Sequence, residues 1–189
     1  LEFVKAMWQG FIMGRHHKIL SEKFNRIAQG KLKRLIVCLP PRHSKSEFAS
    51  TFFPAWMMGL NPSLKIIQAT HTAELAVRFG RRVRNIIDSE DYQSIFPNIS
   101  LSDDNKSAGR WTTNAGGEAF YSGVGGAITG RGADLLIIDD PHSEQDAMSP
   151  TAMDAAWEWY TSGPRQRLQP GGTIILVMTR WSTKDLAGR

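Results

Sequence analysis

The chain has 189 residues, 41% hydrophobic and 22% charged, with one cysteine and 23 Lys/Arg against 18 Asp/Glu. That length fills one core and falls short of two ordinary domains, and the composition excludes disordered, collagenous and coiled-coil classes. No apolar run approaches the roughly 20 residues of a membrane-spanning helix, and a lone Cys38 excludes a disulfide framework or a cysteine-based zinc site and points to a reducing compartment.

The net charge of +5 is uneven: residues 1–60 hold 10 Lys/Arg against 3 Asp/Glu, and the rest holds 13 against 15. A basic first third points to a polyanionic partner or ligand but needs a motif to give it meaning. The opening Leu1-Glu-Phe-Val-Lys5 lacks an initiating methionine and the apolar core of a signal peptide, so the chain reads as a trimmed or partial product.

Taken in chain order, Phe11 to Gln29 has apolar residues at helical spacing, with Gly30 as a stop. Arg34 to Leu39 reads as a fully buried strand ended by Pro40 and Pro41. Lys45 to Leu60 reads as a helix with a kink or break near Pro54. Lys65 to Thr70 is a second strand, and Thr72 to Ile87 an amphipathic helix carrying Arg78, Arg81, Arg82 and Arg84. Trp111 to Thr113 and Glu118 to Ser122 flank a turn as in a hairpin. Leu135 to Asp139 and Thr173 to Met178 are two more apolar strands, with a helix near Thr151 to Tyr160 between them. No repeat or linker divides the chain. Apolar strands alternating with helices predict an α/β domain whose mainly parallel sheet is covered by helices on both faces.

Three motifs carry chemistry. Leu39-Pro-Pro-Arg-His-Ser-Lys-Ser46 lies between a strand and a helix, where backbone N–H groups and the helix dipole favour an anion. Lys45-Ser46 matches the end of the G-x-x-x-x-G-K-[ST] phosphate loop, whose lysine reaches phosphates and whose hydroxyl ligates Mg²⁺. Leu39 and Ser44 occupy its two glycine positions, so the loop is deviant; alone, Lys-Ser also reads as an ordinary helix start. Leu135-Leu-Ile-Ile-Asp139-Asp140 ends an apolar strand in two acids, the pattern in which the first holds Mg²⁺ and the second orients the attacking water. Paired carboxylates at a strand end are costly without a cation or solvent; an Asp-Asp-Pro turn is the plainer alternative. Thr173 to Met178 ends in Thr179-Arg-Trp181, where a polar residue beside the nucleotide can sense the terminal phosphate, or simply end the strand. Together these suit a P-loop NTPase of the additional-strand class, the arrangement of nucleic-acid motors. The glycines Gly123, Gly125, Gly126 and Gly130 precede a strand, which argues against a dinucleotide fingerprint. Cys38, Trp157 and Trp159 read as packing.

Pro40-Pro-Arg-His-Ser-Lys-Ser-Glu47, Leu136-Ile-Ile-Asp-Asp-Pro-His142 and Thr179-Arg-Trp-Ser-Thr-Lys-Asp-Leu-Ala-Gly-Arg189 together resemble the large terminase subunit of tailed bacteriophages. Phe79-Gly-Arg-Arg-Val-Arg84, Phe96-Pro97 and Gly125-Gly-Ala-Ile-Thr-Gly-Arg131 extend the resemblance over nearly the whole chain from about Phe11. It implies an ATP- and Mg²⁺-dependent motor moving double-stranded DNA into a procapsid. The implied partners are a portal protein, the small terminase subunit and further copies in a ring, with no membrane, in the cytoplasm of the infected bacterial host. Residues 1–189 would be the single ATPase domain, the family's nuclease domain lying outside them. Other P-loop translocases, or a catalytically silent DNA-binding module, are the alternatives.

By that resemblance Pro41, Arg42, His43, Ser44, Lys45 and Ser46 hold the nucleotide, and Ser46 and Asp139 hold Mg²⁺. Asp140 stands where the family usually has glutamate, Arg42 assists hydrolysis within the subunit, and Arg131 is a candidate arginine finger for a neighbour. Thr179 is the candidate phosphate sensor. His17, with His16 beside it, lies near where related motors read adenine. Arg131 has a simpler alternative as an ion pair with Asp134, and Arg81, Arg82 and Arg84 are either DNA contacts or a solvated face.

Overall fold

The computed structural model describes residues 1–128 and 130–189. Thr129, within the Gly125–Arg131 loop, lies outside the described residues. Strands β1 (Arg34–Cys38), β2 (Lys65–Thr70), β3 (Leu101–Ser107), β4 (Arg110–Thr113), β5 (Glu118–Gly123), β6 (Ala133–Asp139) and β7 (Leu168–Met178) form one sheet in the order β1-β7-β6-β2-β5-β4-β3. The pairs from β1 through β5 are parallel, and β4 and β3 add antiparallel at one edge. β7 is inserted between β1, the strand before the Lys45-Ser46 motif, and β6, the strand ending in Asp139, as the additional-strand class requires.

Helices α1 (Glu2–Met7), α2 (Arg15–Ala28), α3 (Phe53–Leu60), α4 (Ala73–Ile87) and α5 (Glu90–Ile95) belong with the larger core, which includes Phe24, Phe48, Met58, Val83, Ile66 and Ile137. Side chains that alternate along the strands build a second core around Ile67, Leu136, Ile138 and Leu176, against which Trp157, Trp159 and Tyr160 of α6 (Pro150–Ser162) pack. Leu135 through Ile138 are all almost fully buried, so β6 is anchored from both faces, each side chain contributing about 1.5–3 kcal/mol.

Three expectations change. Pro54 does not break its helix. The turns before it widen into a π segment, Glu47–Phe52, in which the Phe53 N–H donates to the Phe48 carbonyl five residues back, and the altered spacing absorbs the donor that proline lacks. β1 is not fully buried. It is an edge strand with Arg34, Ile36 and Cys38 exposed, because one flank of the sheet ends there. Cys38 is therefore a surface thiol and not a packing residue. The polar β3 has no apolar alternation to announce it and exists by pairing with β4.

Gly80 shows why one glycine of the Phe79–Arg84 stretch is needed. A Cβ there would lie 2.2 Å from the Ala108 carbonyl oxygen and 2.7 Å from the Tyr121 ring, so α4 closes onto the β3–β4 turn only without a side chain. The Trp111 indole N–H donates to the Gly80 carbonyl at 3.1 Å across the same contact.

Candidate functional site

Parallel register brings the three motifs to one edge. Cys38 pairs with Met178, Val177 with Asp139, and Asp139 with Thr70, so the strands end together and their following loops converge. The loop from Leu39 to Ser44 turns from β1 into the helix beginning at Lys45, with Arg42 at φ 62° and Ser44 at φ 58°. Both adopt the left-handed backbone that glycine takes freely and other residues take at about 1–2 kcal/mol each. The loop thus has a glycine-type conformation at Ser44, where the pattern usually has glycine. Pro41, Arg42 and His43 are exposed on its outer side, and His43 Nδ1 donates to the Pro41 carbonyl at 2.9 Å.

Beneath the loop the first two motifs meet directly. Ser46 Oγ donates to Asp139 Oδ1 at 3.0 Å, across 93 residues of sequence, and Ser50 Oγ donates to Asp139 Oδ2 at 2.6 Å. Asp139 is 1% exposed. Burial, reinforced by the neighbouring Asp140 charge, pushes its carboxyl up to about 7, against the two serine hydrogen bonds and the more distant Lys45 charge. A carboxylate so placed gains from a cation, which would restore its ionised form.

Asp140 has φ 42°, and its N–H donates to the Val177 carbonyl at 2.7 Å. Both carboxylate oxygens are engaged: Oδ1 accepts the Thr179 N–H at 2.8 Å, and Oδ2 faces Lys45 Nζ at 3.0 Å. Thr179 Oγ1 lies 3.5 Å from the Leu39 carbonyl oxygen, so the end of β7 touches both other motifs. Lys45, Ser46, Asp139, Asp140 and Thr179 form one connected cluster.

His17 is buried beside this cluster rather than in it. Its ring stacks on Phe48 at 4.7 Å and lies 3.8 Å from His16, and its Nδ1 accepts the Gly14 N–H at 2.9 Å. Burial, with His16 adding to it, holds its pKa down. His16 in turn lies 5.8 Å from His43, placing a histidine row alongside the loop before Lys45.

Arg131 is at the other end of the sheet, before β6. It pairs with Glu118 at 2.5 Å, at the start of β5, and its guanidinium lies 4.1 Å over the Phe120 ring. The expected alternative partner, Asp134, instead accepts the Lys65 N–H at 2.9 Å. Of the arginines on α4, Arg82 is held bidentate by Glu47 at 2.7 and 2.5 Å and Arg84 donates to the Lys106 carbonyl at 2.7 Å, while Arg78 and Arg81 are exposed.

Two features escaped the sequence reading. Ser50 follows Ser46 by one helical turn, and that spacing was its only signal. Asp185, fully buried, gathers the N–H groups of Trp181, Ser182 and Gly188 and the Arg180 guanidinium. Burial alone would raise its pKa, but these donors outweigh it and hold the carboxyl below its ordinary value. Among the described residues, no cluster of three or more His, Cys, Asp or Glu is arranged to hold a metal by itself, so any Mg²⁺ here needs further oxygens from a ligand or water.

No protein-family model matches the sequence, and no curated protein matches it. Solved structures do. The HK97 bacteriophage large terminase superposes with a TM-score of 0.63 at 13% identity, over 98% of this chain and 38% of that one. The fold is that of phage large terminase ATPase domains. The large terminase ATPase domain of Thermus phage P74-26 aligns over 94% of this chain and 68% of its own, with a TM-score of 0.55 at 17% identity, and a single-arginine mutant of it does so at 0.54. The chain therefore spans about two fifths of the HK97 large terminase. At such identities the likeness to the terminase fold is one of architecture, and chemistry has to be argued from the residues.

Proposed function

We propose that this chain is the motor domain of a viral large terminase, hydrolysing ATP with Mg²⁺ to drive double-stranded DNA into a procapsid. The observation that carries the reading is the Ser46–Asp139 hydrogen bond, which joins a hydroxyl and a carboxylate of the types that share Mg²⁺ in phosphate-loop enzymes. The residues fit such an ion. Ser46 Oγ and Asp139 are hard oxygen donors 3.0 Å apart, and the protonated tendency of Asp139 is what a cation would reverse.

Mg²⁺ bound with the nucleotide supplies charge neutralisation and a defined phosphate geometry. Lys45 leaves Asp140 to meet phosphate oxygens, with the backbone and side chains of Pro41, Arg42, His43 and Ser44 around them. Asp140, released from Lys45, accepts a proton from or orients water while the Thr179 N–H steadies its other oxygen. Thr179 reports the state of that carboxylate to β7. Arg42, exposed on the loop, serves the same subunit's nucleotide; Arg131, far from its own loop, is available only to a neighbour. His17 and His16 border the nucleobase. Portal protein, small terminase subunit and a ring of identical subunits are the corresponding partners, in the infected cell's cytoplasm. No helix among the described residues is long and apolar enough to cross a membrane.

The test is Mg²⁺-dependent phosphate release, with binding of a non-hydrolysable ATP analogue measured beside it. Lys45→Ala should abolish turnover, and Asp140→Asn should bind the analogue while failing to hydrolyse ATP. Full turnover by Lys45→Ala would overturn the nucleotide assignment. Absence of analogue binding by the unaltered chain would favour a silent DNA-binding module, whereas nucleotide hydrolysis stimulated by single strands alone would favour a helicase-like translocase.

A further inference from the structure

Asp140 needs support beyond its own side-chain contacts. Its φ of 42° lies in the left-handed region, which a residue with a Cβ keeps only when its surroundings over-determine it. On the near side its N–H is fixed to the Val177 carbonyl at 2.7 Å. On the far side come Pro141, whose ring sets its own φ, and His142, both buried. His142 Nε2 accepts the Leu186 N–H at 3.0 Å. A backbone N–H can only donate, so Nε2 carries no proton and the ring is neutral. Burial, which lowers the His142 pKa, favours that form.

The other end of this bond is firmly held. Leu186 is buried in the second core, and beside it the buried Asp185 accepts the N–H groups of Trp181, Ser182 and Gly188 at 2.9, 3.1 and 2.8 Å. With Arg180 also on Asp185 at 2.9 Å, the segment after β7 is closed on itself. It meets the turn after β6 twice, through the Thr179 N–H on Asp140 Oδ1 at 2.8 Å and through the Leu186 N–H on His142.

We propose that His142 is a positioning residue for Asp140: its bond to the Leu186 N–H locks the Asp140–His142 turn and keeps the Asp140 carboxylate on the Thr179 N–H. The consequence for turnover rests on the hydrolysis proposed above, and the geometric role does not. Ser46 and Asp139 are anchored independently, through each other and Ser50, so nucleotide affinity should survive the loss of His142 while turnover falls.

The experiment compares the unaltered chain with His142→Leu, His142→Asn and His142→Gln. Glutamine carries a carbonyl oxygen to the reach of Nε2, asparagine stops short at that of Nδ1, and leucine has no acceptor. Amide hydrogen exchange followed by NMR reads the Thr179 N–H, with Asp140→Ala as the reference for a lost acceptor. Exchange at Thr179 should quicken roughly fivefold in His142→Leu and His142→Asn, the factor for one neutral hydrogen bond, and return to the unaltered rate in His142→Gln. The Ile175 amide, in the middle of β7 between β1 and β6, should change less. Mg²⁺-dependent phosphate release should fall by a similar factor at unchanged KM for ATP, and recover in His142→Gln. Equal quickening at Thr179 and Ile175 would make His142 a general stabiliser and overturn the proposal. Unaltered Thr179 exchange, or its failure to recover in His142→Gln, would overturn it too. If His142→Leu does not fold, His142→Asn carries the comparison. Should the unaltered chain release no phosphate, the nucleotide reading fails while the exchange rates still decide the role of His142.

Discussion

Lys45 Nζ lies 3.0 Å from Asp140 Oδ2, tying the lysine that follows β1 to the acid that follows β6. The lysine is almost buried while the aspartate is partly exposed, so under the proposed function a nucleotide would have to draw Lys45 away from this partner. Asp140→Asn weakens that competitor. It should bind a non-hydrolysable ATP analogue more tightly than the unaltered chain, by up to about fivefold for an ion pair of roughly 1 kcal/mol, while phosphate release falls to background. Calorimetry on the two chains decides it; weaker binding by Asp140→Asn would mean that the pair organises the site instead of closing it.

Ser50 is the residue most directly responsible for the placement of Asp139. Ser50→Ala removes a 2.6 Å hydrogen bond to a buried carboxylate, an expected loss of about 1–3 kcal/mol. Thermal unfolding should show the loss in metal-free buffer, and the Mg²⁺ concentration needed for nucleotide binding should rise. Unchanged Mg²⁺ dependence would reduce Ser50 to a packing role.

Asp139 should also make stability depend on pH in an unusual direction. Its folded value near 7 lies above its unfolded value near 4, so the folded chain holds an extra proton between those limits and loses stability as pH rises through that window. His17 and His142, whose pKa values are lowered chiefly by burial, act oppositely near the histidine range. The informative quantity is therefore the difference between the unaltered chain and Asp139→Asn. Melting temperatures from pH 5 to 8 without Mg²⁺ should diverge in favour of Asp139→Asn as pH rises, and parallel curves would contradict the assignment.

Ser44 adopts φ 58° in the position of a glycine. Ser44→Gly should stabilise the chain by about 1 kcal/mol by relieving left-handed backbone strain, whereas Ser44→Ala should not. Chemical denaturation of the two variants compares them, since both lose the hydroxyl and only glycine relieves the left-handed backbone.

Arg131 is bound to Glu118 and stacked on Phe120, at the sheet edge opposite Lys45. A role for it in hydrolysis has to be played on a neighbouring subunit's nucleotide. Mixing Arg131→Ala with Lys45→Ala chains should restore part of the phosphate release that each lacks alone. Activity no greater than the sum of the two separate chains would confine Arg131 to a structural pair.

What the sequence determined by itself is what is encoded locally. The buried run Leu135–Ile138 ending in two acids, Lys45-Ser46 at a strand-to-helix turn, and the periodicity of α2, α4 and α6 each lie within a few consecutive residues, where hydrophobic spacing and backbone chemistry act directly. Only the tertiary structure decided that β1 is an edge strand, that Ser50 clamps Asp139, and that Arg131 pairs with Glu118 and not Asp134. Those are choices among partners far apart in the chain. Strand order and side-chain pairing are set by which surfaces pack together, and nothing in one residue's immediate neighbours specifies its partner across the fold.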